Sequence, residues 1–157
     1  MTDMKRQKEI FLASEADAWY ERNHEAVARQ DLTQDPICCA VMELAPITSP
    51  SGAPLSILEI GCGEGLRLSW LALRLGAKVH GIEPSAKAVA AAQARGVDAR
   101  RGTADSLPFP DASFDIVLFG FCLYLCDSED LFRVAAEADR VLKASSWLVV
   151  HDFFSSA

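Results

Sequence analysis

The stretch Leu-Glu-Ile-Gly-Cys-Gly-Glu-Gly, residues 58–65, decides how this chain is read. Leu55, Ser56 and Ile57 precede it, so an apolar, partly β-branched run at 55–60 passes directly into three glycines at alternate positions, and an apolar run of helical length follows at 66–75. That order predicts a strand buried on both faces, a tight turn and a helix. Gly61, Gly63 and Gly65 carry no Cβ, so they can take positive φ and let a ligand lie against bare backbone, with the free N–H groups of the helix's first turn aimed at it. One glycine would serve close helix–strand packing. Three in alternation after an acid point to a ligand turn.

The spacing narrows the ligand. A dinucleotide fingerprint requires glycine at 66, where this chain has Leu66, and a phosphate loop requires Gly-Lys-Ser/Thr, where it has Gly65-Leu66-Arg67. What remains is an acid near the strand end, Glu59, followed by G-x-G-x-G.

Composition sets the outer bounds. At 157 residues, 50% of them hydrophobic, the chain is expected to fold as one structural unit, burying about 70% of its unfolded surface. Its 22 acidic against 15 basic residues give a net charge of −7, which disfavours a sequence-independent grip on nucleic acid or an anionic membrane. A small-molecule partner is expected instead. No apolar run reaches the ~18 residues of a membrane span, and the charged start lacks a secretory apolar core, so the expected location is cytoplasmic. The five cysteines lack the pairing or histidine partners of a zinc site and are read as buried reduced thiols, with no metal expected.

Ahead of the turn, residues 5–29 read as a helix with Leu12, Ala16, Trp19, Tyr20, Asn23 and Val27 on one face. It either covers the sheet or lies over the ligand turn as a lid, with Trp19, Tyr20 and His24 facing a substrate. Asp35-Pro36 starts a short helix over 37–45 that Pro46 closes, and the Pro-, Gly- and Ser-containing stretch 46–54 reads as a linker. The organisation expected is an N-terminal helical cap, 1–46, and an α/β domain, 55–157.

After the turn, 77–83 reads as a second strand ending in Glu83, 20 residues beyond Gly63. In a right-handed βαβ unit that brings its carboxylate to the edge where the glycine turn lies, at the spacing used to hydrogen-bond ribose hydroxyls. The alternative is an acid favoured by the next helix N-terminus. Ser85 caps a helix to Arg95, and 97–101 is a short, charged edge strand. The following loop carries Asp105, which could accept an adenine amino group with Ala104 and Leu107 flanking the ring, or be a turn residue only. The run 114–119 is a central strand feeding a pocket-lining loop with Phe121 and Tyr124. Asp127 or Ser128 then caps a helix with an apolar stripe from Leu131 to Leu142, and 147–153 is the fifth strand.

From Ile57 to Asp152 the succession E-I-G-C-G-E-G, I-E-P-S, A-D-S-L-P-F-P-D-A-S-F-D and R-V-L-K resembles the class I S-adenosylmethionine-dependent methyltransferases that act on small molecules. The resemblance implies a Rossmann-like, doubly wound parallel sheet in the order 3-2-1-4-5. It implies S-adenosyl-L-methionine held by Glu59 and the turn Gly61, Cys62, Gly63 and Gly65, by Glu83 and Pro84, by Ala104, Asp105, Ser106 and Leu107, and near Phe121. Tyr124 and His151 are the candidates for orienting or deprotonating an acceptor, each equally readable as a packed wall residue. The family usually adds sixth and seventh strands and has Pro-Gly-Gly where this chain has Ala144-Ser145-Ser146. An open fifth-strand edge follows, which a second copy could cover as a homodimer. The alternative function is a truncated, non-catalytic S-adenosylmethionine- or nucleoside-binding module acting through protein contacts.

Overall fold

The computed structural model describes residues 6–44 and 52–153. Strands β1 Ser56–Ile60, β2 Lys78–Glu83, β3 Asp98–Arg101, β4 Phe114–Gly120 and β5 Leu142–His151 form one parallel sheet in the order β3-β2-β1-β4-β5. β1 is central because it can be: with partners on both sides and helices on both faces, four of its five residues are buried.

Alternation along β1 divides the core into two layers. Ile57 faces α3 Pro36–Leu44, α4 Leu66–Leu75 and α5 Ala86–Ala94, where Ile37, Val41, Leu68, Leu71, Val89 and Ala92 pack with it. Leu58 and Ile60 face the opposite layer, closed by Val134, Ala138 and Val141 of α6 Leu131–Val141. The connections leaving β1 and β4 therefore run over opposite faces, and a crevice opens above the carboxyl ends of these two strands.

Two of the expected side-chain caps form. Asp35 Oδ1 accepts the Cys38 amide at 2.9 Å to start α3, and Ser85 Oγ accepts the Ala88 amide at 3.1 Å to start α5. The N-terminal helix is interrupted: α1 Gln7–Ile10 passes through a π-helical turn, Phe11–Glu15, into α2 Ala16–Ala28. Ala16 alone among its described residues is buried, so the helix lies on the surface of the domain and contributes little to the core.

Three expectations are corrected. Asp127 makes no side-chain cap for the following helix; its carboxylate receives the amides of Gln7 and Lys8, and a 3₁₀ turn, Ser128–Asp130, leads into α6. β5 begins at Leu142, with a register shift between Phe114 and Ile116 before regular pairing from Trp147. Ser145 absorbs that irregularity at φ +60°, the left-handed region that glycine usually fills. Cys39 is exposed, since it lies on the solvent side of α3 while Cys38 points into the core. Pro46, most of the expected linker and Phe154 lie outside the described residues. The sheet as described ends at β5, where Trp147, Leu148 and Val150 are exposed.

Candidate active site

A cavity of about 260 Å³ opens at the carboxyl edge of the sheet. Gly61, Cys62 and Gly63 form its floor. Glu83 and Pro84 from the end of β2, with Ala104 and Asp105 from the loop after β3, border it on one side; Gly120 at the end of β4 and Phe121 just after it border it on the other. The N-terminal helix covers it with Lys8, Phe11, Trp19 and Val27.

The three glycines do different jobs. Gly63 has φ +53°, borders the cavity, and has nothing within 4 Å of the point where a Cβ would stand, so its bare backbone is open to a ligand. At Gly61 a Cβ would meet Cys122 Cβ at 2.7 Å, so that glycine lets the β4 loop come close. Gly65 lies off the cavity: at φ +72°, a Cβ there would meet Ala92 and Val97 at 3.0 Å, and its lack of one lets α4 pack on α5.

Glu83 ties the floor to β2. Its Oε2 accepts the Gly63 amide and its Oε1 the Ser85 amide, each at 2.9 Å. Burial pushes its carboxyl above the ordinary range, and the two amides oppose that shift. Asp105 is buried at the other end of the same side, where Lys8 Nζ stands 2.5 Å from its Oδ2. Burial raises this carboxyl too, but hydrogen bonds from Lys8 and Thr103 prevail and hold it below the usual range.

Glu59 does not border the cavity, because strand alternation turns it towards α3 and α4, away from the open edge. There it pairs with Arg67, whose Nε also donates to Asp35 Oδ2 at 3.2 Å. Burial pushes Glu59 up to about 7 even against the Arg67 charge. Ser106 is exposed and Leu107 turns into the α6 layer, so neither borders the cavity. Of the three expected lid residues Trp19 borders it; the Tyr20 and His24 rings pack on each other at 5.2 Å beside it.

His151 stands one ring back from the cavity, behind Phe121, and Tyr124 two rings back, behind Phe153 and then Phe121. His151 packs edge-on against Phe121 at 4.5 Å and Tyr124 against Phe153 at 5.0 Å. Phe121 itself takes φ +54°, a strained conformation for a bulky residue, and presents its ring to the cavity. The thiols of Cys62, Cys122 and Cys126 also border the cavity, but burial pushes all three upward, Cys126 to about 11, so they line it as protonated, weakly polar groups.

Sequence reasoning missed Lys8, Arg67, Glu64 and Asp127. Glu64, in the turn itself, is 6% exposed; its Oε2 accepts Arg95 at 2.9 Å while its Oε1 has no partner among the described residues. Its position between two turn glycines was a usable signal. Lys8 and Asp127 meet across 119 residues, and no local pattern announces that.

Residues 58–150 match the methyltransferase domain family. The chain is 37% identical over 101 residues to a demethylmenaquinone methyltransferase of Tropheryma whipplei, covering 62% of this chain and 41% of that protein. It is 41% identical over 86 residues to a ubiquinone biosynthesis O-methyltransferase of Rhodopseudomonas palustris, covering 51% of this chain and 33% of that protein. A crystal structure of an S-adenosylmethionine-dependent methyltransferase from Mesorhizobium loti superposes with a TM-score of 0.58 at 25% identity, over 76% of this chain and 55% of that one. The chain thus spans about two fifths of the length of the first curated relatives it matches.

Proposed function

Because the chain belongs to the methyltransferase domain family, in which S-adenosyl-L-methionine is the expected cofactor, we propose that it transfers a methyl group from that cofactor to a small, largely apolar acceptor. The observation that carries this reading is the pairing of an open Gly63 backbone with the Glu83 carboxylate on one cavity floor. Glycine with no Cβ admits the cofactor's flat face, and each carboxylate oxygen of Glu83 keeps acceptor capacity for a ribose hydroxyl beyond its one amide. Asp105 would take the adenine amino group, with Ala104 against the ring. Gly61, Cys62 and Pro84 would complete the wall.

The bound cofactor supplies an electrophilic sulfonium methyl. The protein has to align and desolvate the nucleophile, and the apolar lining suits it to do so, since Phe11, Trp19, Val27, Leu32, Phe121 and Leu125 exclude water around the remaining volume. The demethylmenaquinone and ubiquinone-biosynthesis relatives, both named as methyltransferases, support a planar apolar acceptor at modest identity. His151 and Tyr124 would reach an acceptor only at the Phe121 end, so a required base is tested by replacing each.

The direct experiment is S-adenosylhomocysteine release against a panel of phenols, quinols and amines. Turnover of one class supports the enzyme. Cofactor binding with no turnover, together with a cofactor-dependent change of assembly, supports instead a binding module that acts through protein contacts. Pairing of two copies through the exposed β5 edge belongs to the same proposal, and light scattering across concentration tests it.

A further inference from the structure

The N-terminal helix is fastened at two separate places. Its first turn is clamped at the cavity mouth: Asp127 accepts the Gln7 and Lys8 amides at 3.0 and 3.2 Å, Arg6 reaches Asp130 at 2.6 Å, and Lys8 reaches Asp105 at 2.5 Å. Its middle is held at the start of α5, where Asp17 Oδ1 accepts Ser85 Oγ at 2.6 Å and the Lys87 amide at 3.2 Å. The π-helical turn Phe11–Glu15 lies between the two fastenings and is touched at one point, where Arg101 at the end of β3 donates to the Leu12 carbonyl at 2.5 Å. Such a turn breaks the regular hydrogen-bond ladder and is a natural place for a helix to bend.

The two fastenings differ in how much charge they bring together, the second adding one exposed ion pair, Lys87 with Glu21, to the Asp17 bonds. The first-turn clamp sets two cations and a pair of amides against three carboxylates, and Lys8, Asp105, Asp127 and Asp130 all border the cavity. Lifting that turn would leave three like charges together at the mouth, so the closed position is held by charge pairing that salt can screen. Lys8 also stands on the same carboxylate that the proposed function gives to the adenine amino group.

We propose that the first turn of the N-terminal helix is an ionic latch on cofactor exchange, in which Lys8 and the cofactor's adenine contend for Asp105. The role of Asp105 in it rests on the function proposed above; the clamp itself does not. To admit the cofactor, the turn over Gln7–Ile10 swings about the π-helical segment while Asp17 keeps the middle of the helix on α5. Salt therefore speeds admission. S-adenosylhomocysteine is the suitable probe because its net charge near neutrality is zero, which removes long-range steering as a competing cause of salt dependence.

The test combines hydrogen exchange of the whole chain with stopped-flow binding of S-adenosylhomocysteine, in the wild type, Lys8→Met, and Lys8→Met/Arg6→Met. The latch predicts faster exchange of the 7–15 amides in both variants and in high salt, with 16–28 little changed. It predicts association about three- to tenfold faster in the variants, and a salt acceleration in the wild type that the double variant loses. Unchanged exchange at 7–15 overturns the latch. Released exchange with unchanged or slower association overturns its role in cofactor exchange. If no form binds S-adenosylhomocysteine while exchange is still released by Lys8→Met, the cofactor reading fails and the clamp stands.

Discussion

The Gly63 amide donates to Glu83 Oε2 at 2.9 Å, so the glycine turn after the first strand and the acid that ends the second are one piece of structure. Glu83→Ala should therefore act twice, removing an acceptor for the ligand and freeing the turn. Loss of charged hydrogen bonds of this kind costs about 1.5–3 kcal/mol, or roughly ten- to a hundredfold in cofactor affinity. Because burial raises the Glu83 carboxyl, affinity should begin to fall with decreasing pH above the ordinary glutamate range. Calorimetry of wild type and variant across pH measures both effects.

Gly63 and Gly65 should separate when each is changed to alanine. Both sit at positive φ, so both variants bear strain on the order of 1 kcal/mol. At Gly63 the new methyl has room in the protein but projects where a ligand would lie, so binding should suffer more than stability. At Gly65 it meets Ala92 and Val97 at 3.0 Å, so stability should fall by a further ~1–3 kcal/mol through overpacking. Urea midpoints compared with cofactor affinities decide whether the two glycines divide labour in this way.

Arg67→Met should be among the most destabilising single changes, at about 3–5 kcal/mol, because it strands the fully buried Glu59 carboxylate. Adding Glu59→Gln should recover most of that loss. The pH dependence has a definite sign. In the wild type Arg67 already lowers the Glu59 carboxyl to about 7, so removing it lifts the folded-state pKa further above the unfolded value, and the deficit of Arg67→Met should shrink as pH falls towards 7. A deficit that instead grows on mild acidification would mean that Glu59 is not the stranded charge.

Glu137 shifts the opposite way. The Arg140 guanidinium pairs with both its oxygens and the Leu107 amide donates at 2.7 Å, holding its carboxyl down to about 2. Its folded-state pKa is depressed, so its contribution is complete above the unfolded value near 4.5 and is lost as pH falls from there towards 2. Glu137→Gln should cost on the order of 1–2 kcal/mol at pH 7 after solvent screening, and show a shallower loss between about pH 5 and 3 than the wild type. Denaturant melts at stepped pH check it. Arg140 also donates to the carbonyls of Leu107 and Phe109, so the loop after β3 should loosen in the variant.

Much of this was legible in the sequence because the signals are local. A β-branched run into glycines gives β1 and its turn, Ser85 and Asp35 announce the helices they cap, and the spacing from Gly63 to Glu83 places an acid at the same edge. What escaped was set by distance or by alternation. Glu59 looks like a ligand at the end of a strand until its direction within the pleat turns it to Arg67. Asp127 looks like a cap for the helix that follows it, but it caps a helix that begins 120 residues earlier. Lys8 is one of several charges in a polar N-terminus, and only the packed domain brings it to Asp105.

Binding of S-adenosylmethionine on the Gly63–Glu83 floor is what every functional step above depends on, and titration calorimetry with S-adenosylhomocysteine addresses it without needing the acceptor. Saturable one-to-one binding to the wild type is expected, weakened about ten- to a hundredfold in Glu83→Ala, with NAD binding more weakly than S-adenosylhomocysteine. Unchanged affinity in Glu83→Ala, or tighter binding of NAD, would refute it.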